Sequence, residues 1–331
     1  YIEPIVERLV NGGLMKRVSD KVYTDFIIYT EEDRTKNLEL EEELAEKLYK
    51  DIWTVLEQGL NELREQNYYK EQGVTKQIKL ESFFAVRTIQ HAVINVRDMA
   101  SGGTEPFEQY PDRPNGGKWY ALGSRYPANY DFSENTYEKY YISGEATNTL
   151  ENYCGLKRIA RCEYDCLLGR THRVYSNIKF MKYSMNDIDV LKMLYAIYSG
   201  NEEDLPIINQ HCFDNMDGFK KLNFLSNDEN GKVVVDIPVI TMKDRRNLYN
   251  ISKKYSDEIS NKFQDELMKL MENKVKTPAH LKSVPDWQKY MYCCATFPMR
   301  VILKAKDKGL FLKGYNIDNY PVPAIFIAVE K

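Results

Sequence analysis

Apolar residues recur every four positions along two long stretches of the chain. The first stretch carries Leu40, Leu44, Leu48, Ile52, Leu56 and Leu60. The second carries Ile251, Tyr255, Ile259, Phe263, Leu267 and Met271. This spacing is typical of one face of an α-helix, whereas the faces of a strand repeat every two residues. The pattern therefore predicts long helices over residues 37–66 and 245–273.

The segments that precede these two helices also resemble each other. Residues 21–34 match residues 232–245 at a constant offset of 211, with identical Lys, Val, Asp, Thr, Asp and Arg. Each segment has the pattern of a β-hairpin that leads into the long helix, with Thr30 or Thr241 at the expected N-cap. A match at a fixed offset predicts an internal duplication. Residues 14–63 are accordingly expected to superpose on residues 225–274.

A short apolar helical pattern stands before each hairpin, and the resulting order of helix, turn and hairpin suggests a winged helix. The second copy also has patterns for two earlier helices, at residues 188–198 and 205–212, which completes an order of three helices and a wing. The offset places the equivalent two helices of the first copy roughly two dozen residues before Tyr1. The chain is therefore expected to be the carboxy-terminal part of a longer protein.

The expected fold class is α+β, with two duplicated winged-helix-plus-long-helix units flanking a β-rich insert. Further helices are predicted at 77–100 and 286–305, and a final strand at 324–329; strand-like segments lie at 118–122, 137–142, 158–166 and 174–183. The predicted domains are a truncated winged-helix segment 1–30, a helical subdomain 31–117, a tyrosine-rich β insert 118–184, a second winged helix 185–242, and a helical subdomain with a final strand 243–331.

Three phrases of the sequence carry a resemblance to a known group of proteins. They are YIEPIVERLVNGGLMKRVSDKVYTDFIIY at Tyr1–Tyr29, PDRPNGGKW at Pro111–Trp119 and PVIT at Pro238–Thr241. In these phrases the chain resembles the carboxy-terminal regions of large Gram-positive bacterial regulators, in which a segment like an extracytoplasmic-function RNA polymerase sigma factor precedes winged-helix units. The resemblance implies a role in transcription, with the sigma-like part outside these residues. None of the phrases is a catalytic signature, so no functional residue is carried over.

Composition and charge narrow the class of protein. The chain is 43% hydrophobic, but it has no apolar run near the ~20 residues that cross a bilayer, so we expect no membrane partner and a cytoplasmic location. Residues 31–71 hold 13 acids against 6 bases, whereas residues 241–331 hold 17 bases against 10 acids. This asymmetry suggests either a basic face for nucleic acid and an acidic face for a basic partner, or two helical subdomains that attract each other. The second interpretation is favoured, because charge runs usually mark solvated helix faces.

Basic residues of the two winged units are the candidates for DNA contact. They are Lys16, Arg17 and Lys21 in the first unit and Lys220, Lys221 and Lys232 in the second. A winged helix can place a helix in the major groove while a basic wing follows the phosphates. The helices argue against this, because the first carries Glu3 and Glu7 and the second carries Asp214 and Asp217. Contact with DNA and docking onto protein, with RNA polymerase as the partner, stay as equal alternatives.

The central segment is rich in tyrosine, since ten of the 25 tyrosines lie between Tyr120 and Tyr183, interleaved with arginines. Aromatic rings and guanidinium groups together can stack on bases or hold a small ligand. The candidate ligand-binding residues are Tyr120, Arg125, Tyr141, Arg161 and Arg173. The simpler interpretation, that tyrosine is a favoured strand residue, has more weight. The alternative function is a non-catalytic ligand-sensing or protein-interaction module, and the oligomeric state stays open.

No residue pattern in the chain supports catalysis, a cofactor or a metal site. The spacing of Cys162, Cys166 and His172 departs from that of structural zinc sites. His211 and Cys212 are neighbours on a predicted helix, so their side chains point apart. Gly116-Gly117-Lys118 lacks the earlier glycine and the following Ser or Thr of a phosphate-binding loop. We therefore expect a non-enzymatic protein whose six cysteines are reduced thiols.

Overall fold

The structure is a computed structural model, and it describes residues 2–25, 27–29, 31–100, 119–125, 140–146, 160–164, 187–200, 210–221, 223–271, 293–304, 308–310 and 324–328. Most of these residues are helical, and the strands form small sheets. The expected α+β class is confirmed as far as the mixture of helices and small sheets is concerned.

The first part of the chain folds as a helix, a hairpin, a strand and a long helix. These elements are α1 (Glu3–Asn11), β1 (Met15–Val18), β2 (Lys21–Thr24), β3 (Ile27–Tyr29) and α2 (Glu31–Arg64). Helix α2 begins earlier than the predicted residue 37. The extra turns begin with Glu31, Glu32 and Asp33, and negative side chains are favourable at the positive end of a helix dipole.

A corresponding series of elements occupies the second half of the chain. It consists of α5 (Asp187–Ser199), α6 (Gln210–Asp214), α7 (Met216–Lys221), β7 (Leu225–Asn227), β8 (Val233–Val235), β9 (Val239–Thr241), α8 (Met242–Lys262) and α9 (Gln264–Met271). Helix α8 starts before the predicted residue 245 because Thr241 and Asp244 cap each other: Thr241 Oγ1 donates to Asp244 Oδ2 at 2.7 Å and accepts from the Asp244 amide at 3.1 Å. The predicted single helix is interrupted at Phe263, and α9 begins at the next residue, Gln264.

The remaining described elements lie between and after these two series. They are α3 (Asn67–Lys70), α4 (Val74–Ala100), β4 (Trp119–Arg125), β5 (Tyr140–Ala146), β6 (Ala160–Tyr164), α10 (Cys293–Lys304) and β10 (Ala324–Ala328). Helix α4 confirms the helix predicted over 77–100, and α10 and β10 lie within the predicted helix and final strand. The strand predicted at 174–183 falls outside the described residues.

The strands of the tyrosine-rich segment pair with strands from other parts of the chain. Strand β4 pairs in parallel with β3 and antiparallel with β5. Strand β6 pairs antiparallel with β10, which in turn pairs in parallel with β9. The hairpins β1–β2 and β7–β8 each form a two-stranded sheet. The predicted boundaries of the insert, 118–184, stay a prediction.

The chain divides into two compact units, each assembled from separate stretches of sequence. One unit contains Tyr1–Leu44, Val93–Leu150 and Phe263–Cys294, and the other contains Ala45–Ala92, Glu151–Lys262 and Ala295–Lys331. In the compact unit that contains Ala45–Ala92, the core is built on the four-residue stripes of the long helices. Leu56 and Leu60 of α2, Phe84 of α4, and Ile251 and Ile259 of α8 are each at most 4% exposed.

The backbone hydrogen bonds around the two hairpins match one another. At the end of α1 the Leu14 amide donates to Leu9 O at 2.9 Å, and at the end of α7 the Phe224 amide donates to Phe219 O at 2.9 Å. The residue before each of these amides has a positive φ, 72° at Gly13 and 59° at Asn223. This is the left-handed ending of a Schellman motif, which Gly and Asn adopt most readily.

After each hairpin the pattern continues with a second matching bond. The Asp25 amide donates to Leu14 O at 3.0 Å, and the Asp236 amide donates to Phe224 O at 2.8 Å. Equivalent residues are thus 210 apart before the turn (Leu14 and Phe224) and 211 apart after it (Asp25 and Asp236).

The single offset of 211 assumed from the sequence is therefore wrong for the first strand of the hairpin. Two residues separate the paired Val18 and Lys21, whereas three separate Asp228 and Lys232, which are joined by a bond of 2.8 Å from the Asp228 amide. One extra residue in the second turn accounts for the change of offset. The pairs Met15 with Thr24 and Leu225 with Val235 follow the same shift.

Candidate functional site

Arg17 of the first hairpin is engaged by two carboxylates of α1. Its Nη2 lies 2.6 Å from Glu3 Oε1 and 2.7 Å from Glu7 Oε1. The hydrogen bond that Arg17 donates to Glu3 is the main cause that raises the pKa of Arg17, and the bond that it donates to Glu7 is the next. All three side chains are well exposed, so these pairs contribute little to stability. A phosphate group would nevertheless have to compete with both acids for this guanidinium.

Lys16 and Lys21 lie on the other face of the same hairpin. Lys16 is paired with Tyr23 and Lys21 with Val18, whereas Arg17 is paired with Val22. Cross-strand partners share a face and neighbouring residues alternate, so Lys16, Val18, Lys21 and Tyr23 share the face opposite Arg17. Both lysines are exposed. The three predicted DNA contacts of the first unit are thus divided between two faces.

The second winged segment has fewer basic residues than the first at the corresponding positions. Lys220 and Lys221 end α7, and Lys220 Nζ lies 3.9 Å from Asp217 Oδ1. Lys232 is exposed and corresponds to Lys21. The positions that correspond to Lys16 and Arg17 hold Ser226 and Asn227. The second hairpin therefore repeats only one of the three bases of the first.

Helices α1 and α7, which precede the two hairpins, differ in burial. Helix α7 belongs to a covered core, since Phe219, Phe224 and Leu225 are each at most 1% exposed. Helices α5 and α6 contribute to that core with Met193, Leu194 and Cys212, all fully buried.

Helix α1, in contrast, has no buried residue. Ile2, which precedes α1, is 76% exposed, and Ile5 within α1 is 49% exposed. Val18 of the hairpin is 45% exposed. Exposed apolar side chains grouped on a surface are a common sign of an interaction site.

The structure divides the candidate ligand-binding residues between two sheets. Tyr120 and Arg125 lie on β4 and Tyr141 lies on β5, where it pairs with Ser124. Arg161 lies on β6, in the sheet with β10 and β9, where it pairs with Ile327. Arg173 lies outside the described residues. Arg125 pairs with Tyr140 and is therefore one position out of register with Tyr141. The predicted ligand site stays a prediction.

Sequence reasoning missed a partly buried cation that joins α4 to the second hairpin. Lys79 Nζ donates to Asn223 O at 3.0 Å and to Asp236 O at 2.6 Å, and it lies 2.8 Å from Asp236 Oδ2. The Lys79 side chain is 11% exposed. Burial lowers its pKa, and Asp236 opposes that effect. The partners lie more than 140 positions away in sequence, so no local spacing indicates this contact.

A second polar cluster joins α2, α3 and α4. Arg64 binds both carboxylate oxygens of Glu81, with Nε to Oε1 at 2.8 Å and Nη2 to Oε2 at 3.0 Å. Tyr69 donates its hydroxyl to the same carboxylate at 2.5 Å. Burial, followed by this hydrogen bond, raises the pKa of Tyr69 to about 12. Because every group in the cluster has a protein partner, we interpret it as a structural network.

Among the described residues, no group of three or more His, Cys, Asp or Glu side chains could hold a metal ion. Cys212 is buried and forms no disulfide, Cys162 lies on β6, and Cys166 is outside the described residues. Within the described parts of the chain, no helix is both long and apolar enough to cross a membrane.

Comparison of the chain with models of protein families, with curated proteins and with solved structures gave no match.

Proposed function

We propose that the chain contains two copies of one winged-helix unit. The equivalent hydrogen bonds at Leu14 and Phe224 and at Asp25 and Asp236 support this, because they set the same helix ending and the same hairpin start in both segments. In the second copy α5, α6 and α7 precede the hairpin β7–β8, which is the order of three helices and a wing. Each copy continues into a long helix, α2 or α8.

The proposed function is that of a non-catalytic, transcription-regulating module whose first unit docks onto protein. The transcriptional role comes from the resemblance of Tyr1–Tyr29 to regulators with a sigma-like segment, and the partner that this resemblance suggests is RNA polymerase. The proposed location is the cytoplasm, where that enzyme acts.

The observation that carries the docking proposal is the exposed apolar side of α1. Ile2 at the N-cap of α1 and Ile5 within α1 are exposed, whereas Phe219 of α7 is fully buried. Glu3 and Glu7 offset the charge of Arg17 beside this surface, which makes it a poor match for a phosphate backbone. An apolar centre with a charged rim is typical of surfaces that bind protein.

The test is the affinity of the chain for purified bacterial RNA polymerase, measured by surface plasmon resonance. We expect Ile5→Glu to weaken binding at least tenfold, about 1.4 kcal/mol, because it places a charge in the apolar centre of the interface. Ile5 is 49% exposed, so the variant should melt at nearly the same temperature as the wild type. Lys16→Glu with Lys21→Glu serves as the control and should bind polymerase with unchanged affinity. Failure of the wild-type chain to bind, or equal binding by Ile5→Glu, would contradict the docking proposal.

Lys16 and Lys21 support a second candidate function, in which the first hairpin follows the DNA backbone. They are exposed on one face of the hairpin, which would allow both to reach phosphates. Reversal of both charges would then weaken binding to duplex DNA of any sequence and reduce the salt dependence by roughly 0.9 for each lost phosphate contact. The same Lys16→Glu, Lys21→Glu variant therefore distinguishes the two candidate functions.

A further inference from the structure

Helix α8 has one continuous exposed face over three turns. The face consists of Lys243, Arg246, Asn247, Asn250, Lys253 and Lys254, all of which are exposed. Their spacing of three or four residues places them side by side on the helix surface. The opposite face is in the core, since Leu248 and Ile251 are at most 4% exposed.

This face carries four positive charges and no negative charge. Asp244 is the one acid between residues 243 and 254, and its carboxylate is held by Thr241 at the start of the helix. Lys243 and Arg246 are in no hydrogen bond or ion pair involving their side chains within the described structure, whereas Lys253 and Lys254 have acidic partners. The amino-terminal half of the face is therefore the more strongly positive half.

Two further cations lie next to the start of α8. The guanidinium carbons of Arg245 and Arg87 are 4.2 Å and 3.9 Å from the centre of the Tyr249 ring. Both arginines are thus held beside the first turns of the helix. Its amino terminus adds a partial positive charge of its own.

The equivalent face of α2 has the opposite charge. With the offset of 211, the positions of Lys243, Asn250, Lys253 and Lys254 correspond to Glu32, Glu39, Glu42 and Glu43, and those of Arg246 and Asn247 to Thr35 and Lys36. The corresponding face of α2 thus carries four acids and one base. These glutamates are exposed as well, so the packing of the helix does not determine the charge of this face. The charge of this face is therefore specific to α8, and a cluster of one sign attracts oppositely charged partners.

We infer that the exposed face of α8 binds the phosphate backbone of double-stranded DNA. Lysine and arginine pair with phosphate oxygens, and the amide groups of Asn247 and Asn250 can donate hydrogen bonds to them. Twelve helical residues span about 17 Å, long enough to meet several phosphates. This surface lies on a different element from the basic residues of both hairpins and binds a different partner from that of α1.

Fluorescence anisotropy with a labelled duplex of random sequence, at several salt concentrations, tests the inference. We expect Lys243→Glu with Arg246→Glu to weaken binding at least tenfold and to reduce the slope of log K against log salt by roughly 2, because two phosphate contacts are lost. The variant Lys243→Arg with Arg246→Lys keeps both charges and should bind nearly as the wild type does. Both replaced residues are exposed, so thermal melting should change little.

The matched control is Lys36→Glu with Lys70→Glu, which makes the same change in net charge at lysines that are 62% and 52% exposed. A smaller loss in this control than in the α8 variant supports the inference. An equal loss in the control, an unchanged affinity of the α8 variant, or no binding by the wild-type chain would overturn it. If only Lys16→Glu with Lys21→Glu weakened binding, the DNA surface would be the first hairpin. Binding to polymerase is measured separately, so none of these results decides the docking of α1.

Discussion

Replacement of Lys79 by methionine should lower the free energy of unfolding by about 3 kcal/mol. Its ammonium group meets three oxygens, the carbonyls of Asn223 and Asp236 and the Asp236 carboxylate. The Asp236 side chain is only 22% exposed, so removal of the cation leaves a largely buried carboxylate without its partner. Such losses typically cost 3–5 kcal/mol when burial is complete and less when water can enter. Methionine keeps the apolar stem and its volume, which isolates the effect of the charge.

Chemical denaturation followed by far-ultraviolet circular dichroism measures this change. The control is Lys70→Met, which removes a lysine paired with Glu65 at 2.8 Å in an exposed position. Exposed pairs contribute about 0–1 kcal/mol, so the control should remain close to the wild type. If Lys79→Met and Lys70→Met had equal stabilities, the contact of α4 with the second hairpin would not stabilise the fold.

Gly59→Ala should destabilise the protein by about 1–3 kcal/mol, although alanine usually stabilises a helix relative to glycine by roughly 0.5–1 kcal/mol. A Cβ atom at Gly59 would lie 2.7 Å from Tyr255 Cδ2 and 3.0 Å from two atoms of the Phe84 ring. Tyr255 and Phe84 are 5% and 0% exposed, so neither ring can move into water without loss of buried area. Overpacking therefore outweighs the better helix propensity of alanine.

Two variants separate overpacking from helix propensity, with the midpoint of urea unfolding as the measured quantity. Gln58→Ala changes an exposed neighbour on the same helix and should leave the stability within about 0.5 kcal/mol of the wild type. Phe84→Leu removes the ring that meets the new methyl group, so Gly59→Ala should cost less in that background than in the wild type. A stabilising effect of Gly59→Ala in the wild-type background would show that α2 and α8 are not packed closely at this point.

Local patterns in the sequence predicted the elements that have a local cause. The stripe through Leu56 and Leu60 and the stripe through Ile251 and Ile259 identified α2 and α8 because a helix must bury one face. The turn before each hairpin was recognisable from Gly13 and Asn223, the two residue types that best tolerate a positive φ.

Sequence patterns did not predict features that depend on tertiary contact. The parallel pairing of β3 with β4 joins residues that are about a hundred positions apart, and no periodicity specifies such a partner. The contact of Lys79 with Asp236 was missed for the same reason, because the two residues are far apart in the sequence. The extra residue in the second hairpin turn was missed because identical residues after the turn hid the shift before it.

The candidate functional surfaces were predicted only in part. Lys16, Arg17 and Lys21 were selected by charge, but the register of the hairpin places Arg17 on the face toward Glu3 and Glu7. The basic face of α8 was visible in the sequence as Lys243 and Arg246 at a spacing of three. It was counted only within the total charge of residues 241–331, because the exposed positions of the helix had not been separated from the buried ones.

The central proposal is that the two hairpin segments are copies of one winged-helix unit, and amide hydrogen exchange measured by NMR tests it most directly. We expect the amides of Leu14 and Asp25 to be protected, and likewise those of Phe224 and Asp236, because each is bonded to its matching carbonyl. Glu229, exposed in the second turn, provides an unprotected reference. Protection of Phe224 and Asp236 together with unprotected amides at Leu14 and Asp25 would contradict the duplication.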